Sequence, residues 1–262
     1  MLDEPSKKEN QVTLIASRHI GLVSEGDDLA SIIATAFRKD GNVIRDGDII
    51  VIAQKIVSKA EGRYAYLADV APSPKANELA TICEKDPKLV ELILRESRQV
   101  LRCVRNIIVV ENHQGIVLAN AGIDRSNVEQ TDRGERVLLL PIDPDASSMR
   151  LRKGLLKLSG ADVGIVINDS LGRAWRMGTV GAAIGASGLS TLLDKRGEAD
   201  LFGFRLRTTE VATADEIAAA ASMLMGQSDE GRPVVMVRGL KRAPGDGRAA
   251  DLVRPRAQDL FR

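Results

Sequence analysis

GIVINDSLGRAWR, residues 164–176, joins a continuous apolar run to a cluster of polar side chains. The run at 164–167 is typical of a strand that is buried on both faces. Such a strand delivers Asp169 and Ser170 to its end, where sheet proteins commonly bind ligands. A carboxylate and a hydroxyl are hard oxygen donors that suit Mg²⁺ or Mn²⁺, so the segment predicts a metal site. The alternative is a helix cap at Asp169 or Ser170, followed by surface arginines.

Other segments show the periodicity of strands or helices. Apolar runs predict strands at 12–16, 49–53, 99–104, 106–110, 116–118, 137–140 and 233–237. Capping residues predict helices from 26–28 to 38, two in succession from about 74 to 96, one starting at Asp145, and one from a capping box at Thr213 to about Met225. Strands and helices are mixed rather than strictly alternating. The predicted fold class is therefore α/β in the mixed α+β sense, not a simple doubly wound sheet.

Composition limits the classes of function. The 262 residues include 37 basic and 36 acidic side chains, a net charge of +1, so no global field marks a nucleic-acid or membrane binder. Aromatic residues make up only 3%, which disfavours a platform for stacking bases. No apolar run approaches the ~20 residues of a membrane span. We therefore expect a cytoplasmic protein with no nucleic-acid or membrane partner.

The N-terminal segment, the expected domain organisation and the two cysteines are also open to prediction from the sequence. Residues 1–10 are polar, lack the apolar centre of a signal peptide, and are predicted to be a disordered leader. Residues 11–262 are predicted to form a single domain, with a division into two subdomains left open. Cys83 and Cys103 lack the spacing of metal ligands and are predicted to be buried, reduced thiols.

Two further segments could contribute to a site. ANAGIDRSN at 119–127 is a loop of small residues after a strand, where Asp124 and Asn127 could meet a metal and a polar ligand. A turn closed by Asp and Asn is the alternative. QKIVSKAEGR at 54–63 follows a buried strand, and its cations could hold a polyphosphate although the GxxxxGK[ST] pattern is absent. A solvated basic loop is the alternative.

Weaker signals lie further along the chain. The glycine-rich run at 178–188 lacks GxGxxG spacing, so close strand packing or a backbone cradle fits it better than a dinucleotide-binding turn. Gln227 and Glu230 follow the helix predicted to end near Met225 and could bind a ligand or lie in a surface loop. His19 and His113, the only histidines, are too far apart in the sequence for a histidine metal cluster, and no nucleophile elbow is present.

Taken together, the segments resemble the coenzyme F420-0:γ-glutamyl ligase family. The matching stretches occur in family order over nearly the whole chain after residue 20. They are GDDLA at 26–30, DGDIIVIAQKIVSKAEGR at 46–63, DPKLVELILRES at 86–97, NAGIDRSNV at 120–128, LLLPIDPDAS at 138–147, INDSLGRAWRMGTVGAAIGASGL at 167–189, ADEIAAAA at 214–221, MGQ at 225–227, PVVMVRGL at 233–240 and DLVRPRAQDLFR at 251–262.

The resemblance implies an unusual α/β ligase fold assembled as an intertwined homodimer. It implies a ligase that adds L-glutamate to coenzyme F420-0, and then further γ-linked glutamates, through an acyl phosphate with release of GDP and phosphate. GTP would be the co-substrate, with two divalent ions, Mg²⁺ or Mn²⁺, and a possible K⁺. Alternatives are a GTP-binding deazaflavin carrier without catalysis, and an amide ligase or kinase acting on another carboxylate.

The resemblance also assigns roles to residues. Asp124, Asp169 and Ser170 match metal positions, with Gln227 of the MGQ motif near nucleotide and metals. Asp124, Asp169 and Lys59 form the expected catalytic set. The expected nucleotide contacts are Gln54, Lys59, Asn127, Gln227 and the segment Ile20, Gly21, Leu22, Val23, where the family usually reads Gly-Leu-Pro-Glu. Arg173 and Arg176 are candidates for the substrate's phosphodiester or the glutamate carboxylates.

Overall fold

The computed structural model describes residues 11–243 and 245–259, and the predicted leader at 1–10 lies outside them. The strands are β1 (Thr13–Ala16), β2 (Ile49–Ala53), β3 (Tyr64–Tyr66), β4 (Ser97–Val104), β5 (Ile107–Asn112), β6 (Val117–Ala119), β7 (Arg136–Leu138), β8 (Gly164–Arg173), β9 (Arg176–Ser187), β10 (Leu193–Asp194), β11 (Glu210–Val211) and β12 (Val234–Arg238). The α-helices are α1 (Leu29–Lys39), α2 (Gln54–Ala60), α3 (Pro74–Cys83), α4 (Pro87–Arg95), α5 (Pro144–Ser159) and α6 (Thr213–Met225). Short 3₁₀ turns lie at Leu67–Asp69, Asn120–Gly122, Ala249–Leu252 and Arg256–Gln258.

A five-stranded sheet in the order β1-β12-β2-β8-β9 organises the fold. Its only parallel pair is β2 with β8, in the register Ile49↔Gly164 to Ala53↔Asn168. The other neighbours are antiparallel, and β12 lies between β1 and β2. The carboxyl ends of β2 and β8 therefore meet at one edge of the sheet, which is where the polar segments after both strands begin.

Alternate side chains of the central strands enter two separate apolar layers, as strand geometry requires. Ile50 and Ile165 face the layer that contains α1 and α5, whereas Val51 and Val166 face the layer that contains α6. The central sheet thus has helices on both faces, which explains why its core strands are continuous apolar runs. The mixed α/β fold class is confirmed.

Smaller sheets surround this centre. β4, β5 and β6 form an antiparallel sheet that contacts α3 and α4, β3 pairs with β7, and β10 pairs with β11. The strand predicted at 116–118 is confirmed as β6, which pairs antiparallel with β5. The predicted caps of α3 and α4 are confirmed as well: the Ser73 hydroxyl accepts from the Ala76 amide at 3.2 Å, and the Asp86 carboxylate accepts from the Lys88 amide at 2.7 Å.

Two predicted helices are confirmed, but their caps differ from the prediction. α5 begins one residue before Asp145: Asp143 caps it by accepting from the Ala146 amide, and Asp145 accepts the amides of Ala186 and Ala249 at 2.8 Å each. α6 begins at Thr213 as predicted, but the predicted capping box is wrong, since the helix has no side-chain cap. Asp215 accepts the Ala183 amide at 2.9 Å. Both carboxylates bind a distant strand or segment rather than their own helix.

Two predicted segment boundaries also changed. The strand predicted at 164–167 does not end at 168–170 but continues to Arg173, because β9 pairs with it along its whole length. The segment after β2 is the helix α2, not a loop. The glycine-rich run lies in β9, and close packing there is confirmed: a Cβ on Gly181 would lie 2.5 Å from the Ala218 carbonyl oxygen, and one on Gly185 would lie 2.5 Å from that of Pro144.

Cys83 is buried and Cys103 is partly buried, and both are free thiols. No helix within the described residues combines the length and apolar character needed to span a membrane. The predicted cytoplasmic location and the single-domain organisation stay predictions.

Candidate active site

A cavity of about 1080 Å³ opens where β2 and β8 end. Its walls are the segments 20–25, 53–56, 127–129, 168–170 and 225–233, together with Lys59, Tyr64 and Arg136. Ligand sites usually have volumes of about 300–1,000 Å³, so the cavity has room for more than one small substrate. It includes every predicted nucleotide-contacting residue, since Ile20, Gly21, Leu22, Val23, Gln54, Lys59, Asn127 and Gln227 all line it.

Asp124 does not itself line the cavity, but its carboxylate contacts Gln54 and Lys55, which do. Its backbone forms two hydrogen bonds of 2.9 Å with Leu138, which fix the residue beside β7. Its carboxylate accepts a hydrogen bond of 2.5 Å from Gln54 Nε2 and forms an ion pair with Lys55. Gln54 is itself buried and oriented, because its Oε1 accepts from Ser58 Oγ at 3.0 Å. Asp124 is therefore held in place by three independent contacts.

Asp169 brings a second carboxylate to the same place. It pairs with Ala182 across the β8–β9 hairpin, and its Oδ1 accepts from the Ser170 amide at 2.8 Å. Burial and, secondly, the negative charge of Asp124 raise the pKa of Asp169 to about 6. Two carboxylates close enough to repel each other favour a bound cation, which removes the repulsion.

Ser170 and Gln227 connect β8 to the end of α6. Ser170 Oγ donates to Gln227 Oε1 at 2.8 Å, and Asn127 Nδ2 donates to the Ser228 carbonyl oxygen at 2.9 Å. The segment after α6 thus contacts both β8 and the polar loop at 119–127. Gly226 allows this turn, since its φ is 74° and the Glu230 carboxylate fills the space of a Cβ.

The oxygen atoms of this site fit a hard divalent cation. Asp124, Asp169, Ser170 and Gln227 offer carboxylate, hydroxyl and amide oxygens, the ligand types that Mg²⁺ and Mn²⁺ prefer. The ammonium of Lys55 already occupies a cation position at Asp124. In the part of the chain that the structure describes, no group of three or more His, Cys, Asp or Glu side chains could hold a metal. The residues present fit a divalent ion only if hydroxyl and amide oxygens join the two carboxylates.

Lys55 and Lys59 give the cavity a positive wall. They lie one turn apart on α2, so both face the same side of the helix. Burial lowers the pKa of Lys59, and the positive charges of Lys55 and Arg136 lower it further. Two other polar residues of 54–63 have structural contacts instead: Ser58 orients Gln54, and Arg63 binds the Leu140 carbonyl oxygen and Glu96.

Arg173 and Arg176 lie outside the cavity. They are exposed at the tip of the β8–β9 hairpin, where Arg173 donates to the Met177 carbonyl oxygen at 3.2 Å. Their predicted substrate contacts stay a prediction that the cavity of one chain does not support.

Four residues of the site did not appear in the predicted set: Lys55, Tyr64, Arg136 and Asn168. The position of Lys55, four residues before Lys59 in a helix, was the available signal. Asn168 precedes Asp169 on β8, is buried, and has an Oδ1 without a hydrogen-bond partner among the described residues. Tyr64 and Arg136 had no local signal, because only the pairing of β3 with β7 brings them together.

Comparisons with known proteins identify the family to which the sequence is similar. A family model described as "F420-0:Gamma-glutamyl ligase" matches residues 18–239. A protein of Methanothermobacter thermautotrophicus named "Coenzyme F420:L-glutamate ligase" is 46% identical over 253 residues, covering 96% of this chain and 99% of the relative. A protein of the same name from Methanocaldococcus jannaschii is 47% identical, covering 84% of this chain and 86% of the relative. Another from Archaeoglobus fulgidus is 42% identical, covering 92% of each chain.

Proposed function

The chain belongs to the F420-0:gamma-glutamyl ligase family, and from this premise we propose that it joins L-glutamate to coenzyme F420-0 by an amide bond. The observation that carries the proposal is the proximity of the Asp124 and Asp169 carboxylates, with Asp169, Lys55 and Lys59 lining one large cavity. This arrangement suits the transfer of a phosphoryl group, where positioning and neutralisation of charge are the protein's main tasks.

GTP is the proposed energy source. The segment Ile20–Val23, Lys59, Asn127 and Gln227 line one continuous cavity, as a nucleotide would require. The segment keeps its place in the cavity wall although its sequence lacks the proline and glutamate that the family usually carries there. Nucleotide contacts made through its backbone would not depend on those two side chains.

Asp124 and Asp169 are the proposed metal ligands, with Ser170 and Gln227 as further oxygen donors. When bound, two divalent ions supply charge neutralisation to the phosphate oxygens. Gln54 keeps the Asp124 carboxylate in position through its 2.5 Å hydrogen bond. Lys55, which pairs with Asp124, and Lys59 line the cavity and would offset the charge of the phosphates.

The proposed reaction has two steps. A carboxylate oxygen of F420-0 attacks the γ-phosphorus of GTP, the bond from that phosphorus to the β–γ bridging oxygen breaks, and GDP leaves. The amine nitrogen of L-glutamate then attacks the acyl carbon, the carbon–oxygen bond to phosphate breaks, and the nitrogen loses its proton to solvent. Lys55 and Lys59 stabilise the phosphate charge in the first step, and the cavity holds the two substrates close together for the second.

We also propose a homodimer. Leu201, Phe202 and Phe204 between β10 and β11, and Met177 at the β8–β9 tip, are large apolar side chains exposed to solvent in one chain. Exposed apolar groups of this kind favour association. Light scattering during size-exclusion chromatography tests the assembly, and a monomer at micromolar concentration would overturn this part of the proposal.

The test of the activity is to incubate the protein with F420-0, L-glutamate, GTP and Mg²⁺ or Mn²⁺, with and without K⁺, and to analyse products by mass spectrometry. A mass gain of one or more glutamyl units with one GDP per unit supports the ligase. GTP binding without amide formation would favour a deazaflavin carrier. GDP release with a different carboxylate and no product from F420-0 would favour another ligase or kinase.

A further inference from the structure

Arg136 is held rigidly in the wall of the cavity. Its guanidinium carbon lies 4.2 Å from the centre of the Tyr64 ring, and its Nε donates to the Glu129 carbonyl oxygen at 2.5 Å. Its backbone amide donates to Gln130 Oε1 at 2.9 Å. The side chain is only 14% exposed. An arginine fixed at its backbone, its Nε and its planar face has few rotamers left to lose when it binds a ligand.

The charge of Arg136 is only weakly balanced. The nearest carboxylate oxygen, Glu129 Oε2, is 4.0 Å from its Nη2, and the Glu129 side chain is 87% exposed. An ion pair of that length with a solvated partner contributes little. Lys59, also partly buried, is close enough for the positive charge of Arg136 to lower its pKa, after burial and Lys55. Partly buried cations without close counter-ions are costly, and an anionic ligand removes that cost.

The cations extend away from the two carboxylates. Lys55 contacts Asp124, Lys59 lies about one turn further along α2, and Arg136 is close enough to Lys59 to affect its pKa. A phosphate chain whose terminal group binds beside Asp169 and Lys55 would bring its inner phosphates to Lys59 and Arg136. The planar guanidinium fork matches two phosphate oxygens, which a single ammonium cannot do.

We propose that Arg136, seated on the Tyr64 ring, is a further nucleotide-binding residue that contacts the inner, α- and β-, phosphate oxygens. The identity of the ligand as a guanine nucleotide rests on the proposed function. Arg136 would position the nucleotide, and Tyr64 would hold Arg136 in place. Because the inner phosphates are common to GTP and GDP, Arg136 should contribute equally to the binding of both.

Titration calorimetry with Mg²⁺ and GTP, GDP or guanosine tests the assignment, with Arg136→Gln compared to Arg133→Gln. Arg133 is a matched control because it lies 4.4 Å over the Tyr66 ring of the same strand pair. It does not line the cavity, is 62% exposed, and pairs with Asp69. We expect Arg136→Gln to weaken GTP and GDP binding alike by roughly 10-fold or more, and to leave guanosine binding unchanged. Arg133→Gln should bind all three ligands as the parent protein does.

A conservative variant separates binding from folding. Arg136→Lys keeps the charge without the fork and should lose only part of the affinity. GDP binding by folded Arg136→Gln that equals the parent's overturns the inference, as does an effect confined to the KM for L-glutamate. No GTP or GDP binding by the parent protein would overturn the proposed nucleotide as well.

Discussion

Gln54 Nε2 donates a hydrogen bond of 2.5 Å to Asp124 Oδ2 across 70 residues of sequence. The glutamine is buried at the first turn of α2, and its own oxygen is fixed by Ser58. The amide therefore has one orientation, with its donor toward the carboxylate. Through this contact, the end of β2 determines the position of a carboxylate that belongs to a different loop.

Gln54→Leu should weaken Mn²⁺ binding by roughly 10–100-fold, as the loss of a hydrogen bond to a metal-ligating side chain typically does. The fold should be retained because the side chain keeps a similar volume. Electron paramagnetic resonance of free Mn²⁺ measures the affinity. Ser58→Ala removes only the orienting contact and should give a smaller loss. Equal Mn²⁺ affinity in Gln54→Leu and the parent protein would show that Asp124 is positioned without Gln54.

Asp169→Asn should lower ligase activity by more than about 100-fold, because it removes a charge that the metal site needs while preserving side-chain volume. Amide formation is measured by mass spectrometry, and Mn²⁺ affinity is measured on the same samples. Asp215→Asn is the control: this aspartate also has a pKa raised by burial, but it lies on α6 and outside the cavity. An Asp169→Asn variant that retains both activity and metal would disprove the proposed role.

Gly181→Ala should destabilise the fold by about 1–3 kcal/mol, as overpacking does. A Cβ there would lie 2.5 Å from the Ala218 carbonyl oxygen and 2.6 Å from Asn168 Oδ1. Separation of β9 from α6 would also move Gln227 away from Ser170, so we expect a loss of activity greater than the loss of folded protein. Thermal unfolding and activity are measured together. Gly172→Ala, where a Cβ meets nothing within 4 Å, should be neutral.

The free energy of unfolding should depend on pH because of Asp162. Hydrogen bonds from Arg242 and then Arg152 hold the pKa of this carboxyl below its ordinary value. The stabilisation that ionised Asp162 gives to the fold is therefore fully present above the ordinary pKa of an aspartate. It is lost as the pH falls through the lowered pKa that Asp162 has in the folded protein. Because Asp162 is nearly half exposed, the contribution is about 1 kcal/mol or less.

The test compares free energies of unfolding of Asp162→Asn and the parent protein from neutral to acidic pH. The difference should be largest near neutrality and should vanish where both side chains are uncharged. It should also shrink in high salt. A difference that is the same at every pH would mean that the asparagine disturbs packing rather than charge.

Much of the site could be predicted because its polar residues directly follow apolar strands. Asp169 and Ser170 come after the buried run of β8, and Lys59 comes soon after β2. The sequence could not show that β8 continues past them, because Asp169-Ser170-Leu171-Gly172 has no apolar alternation. Pairing with β9 extends the strand there, and such pairing is a property of two segments.

Other errors came from competition between local and distant hydrogen bonds. The sequence predicts that Asp145 starts a helix, yet its carboxylate accepts from the backbone of β9, and Asp143 caps α5 instead. Arg136 could not be predicted at all, since its place in the cavity follows from the β3–β7 register, Tyr66↔Arg136. Local patterns identify which residues can accept a hydrogen bond, but only tertiary packing selects their donors.

The position of β12 between β1 and β2 has a consequence for how the protein is made. Residues 234–238 complete a sheet whose other members start at residue 13, so the sheet cannot close until those residues have emerged from the ribosome. Until then β1 and β2 each expose an unpaired edge of apolar residues, which is a template for misassociation. Contacts over such sequence distances also make folding slow. The core of a nascent chain therefore forms only late in synthesis, and the edges of β1 and β2 need protection until β12 has been made.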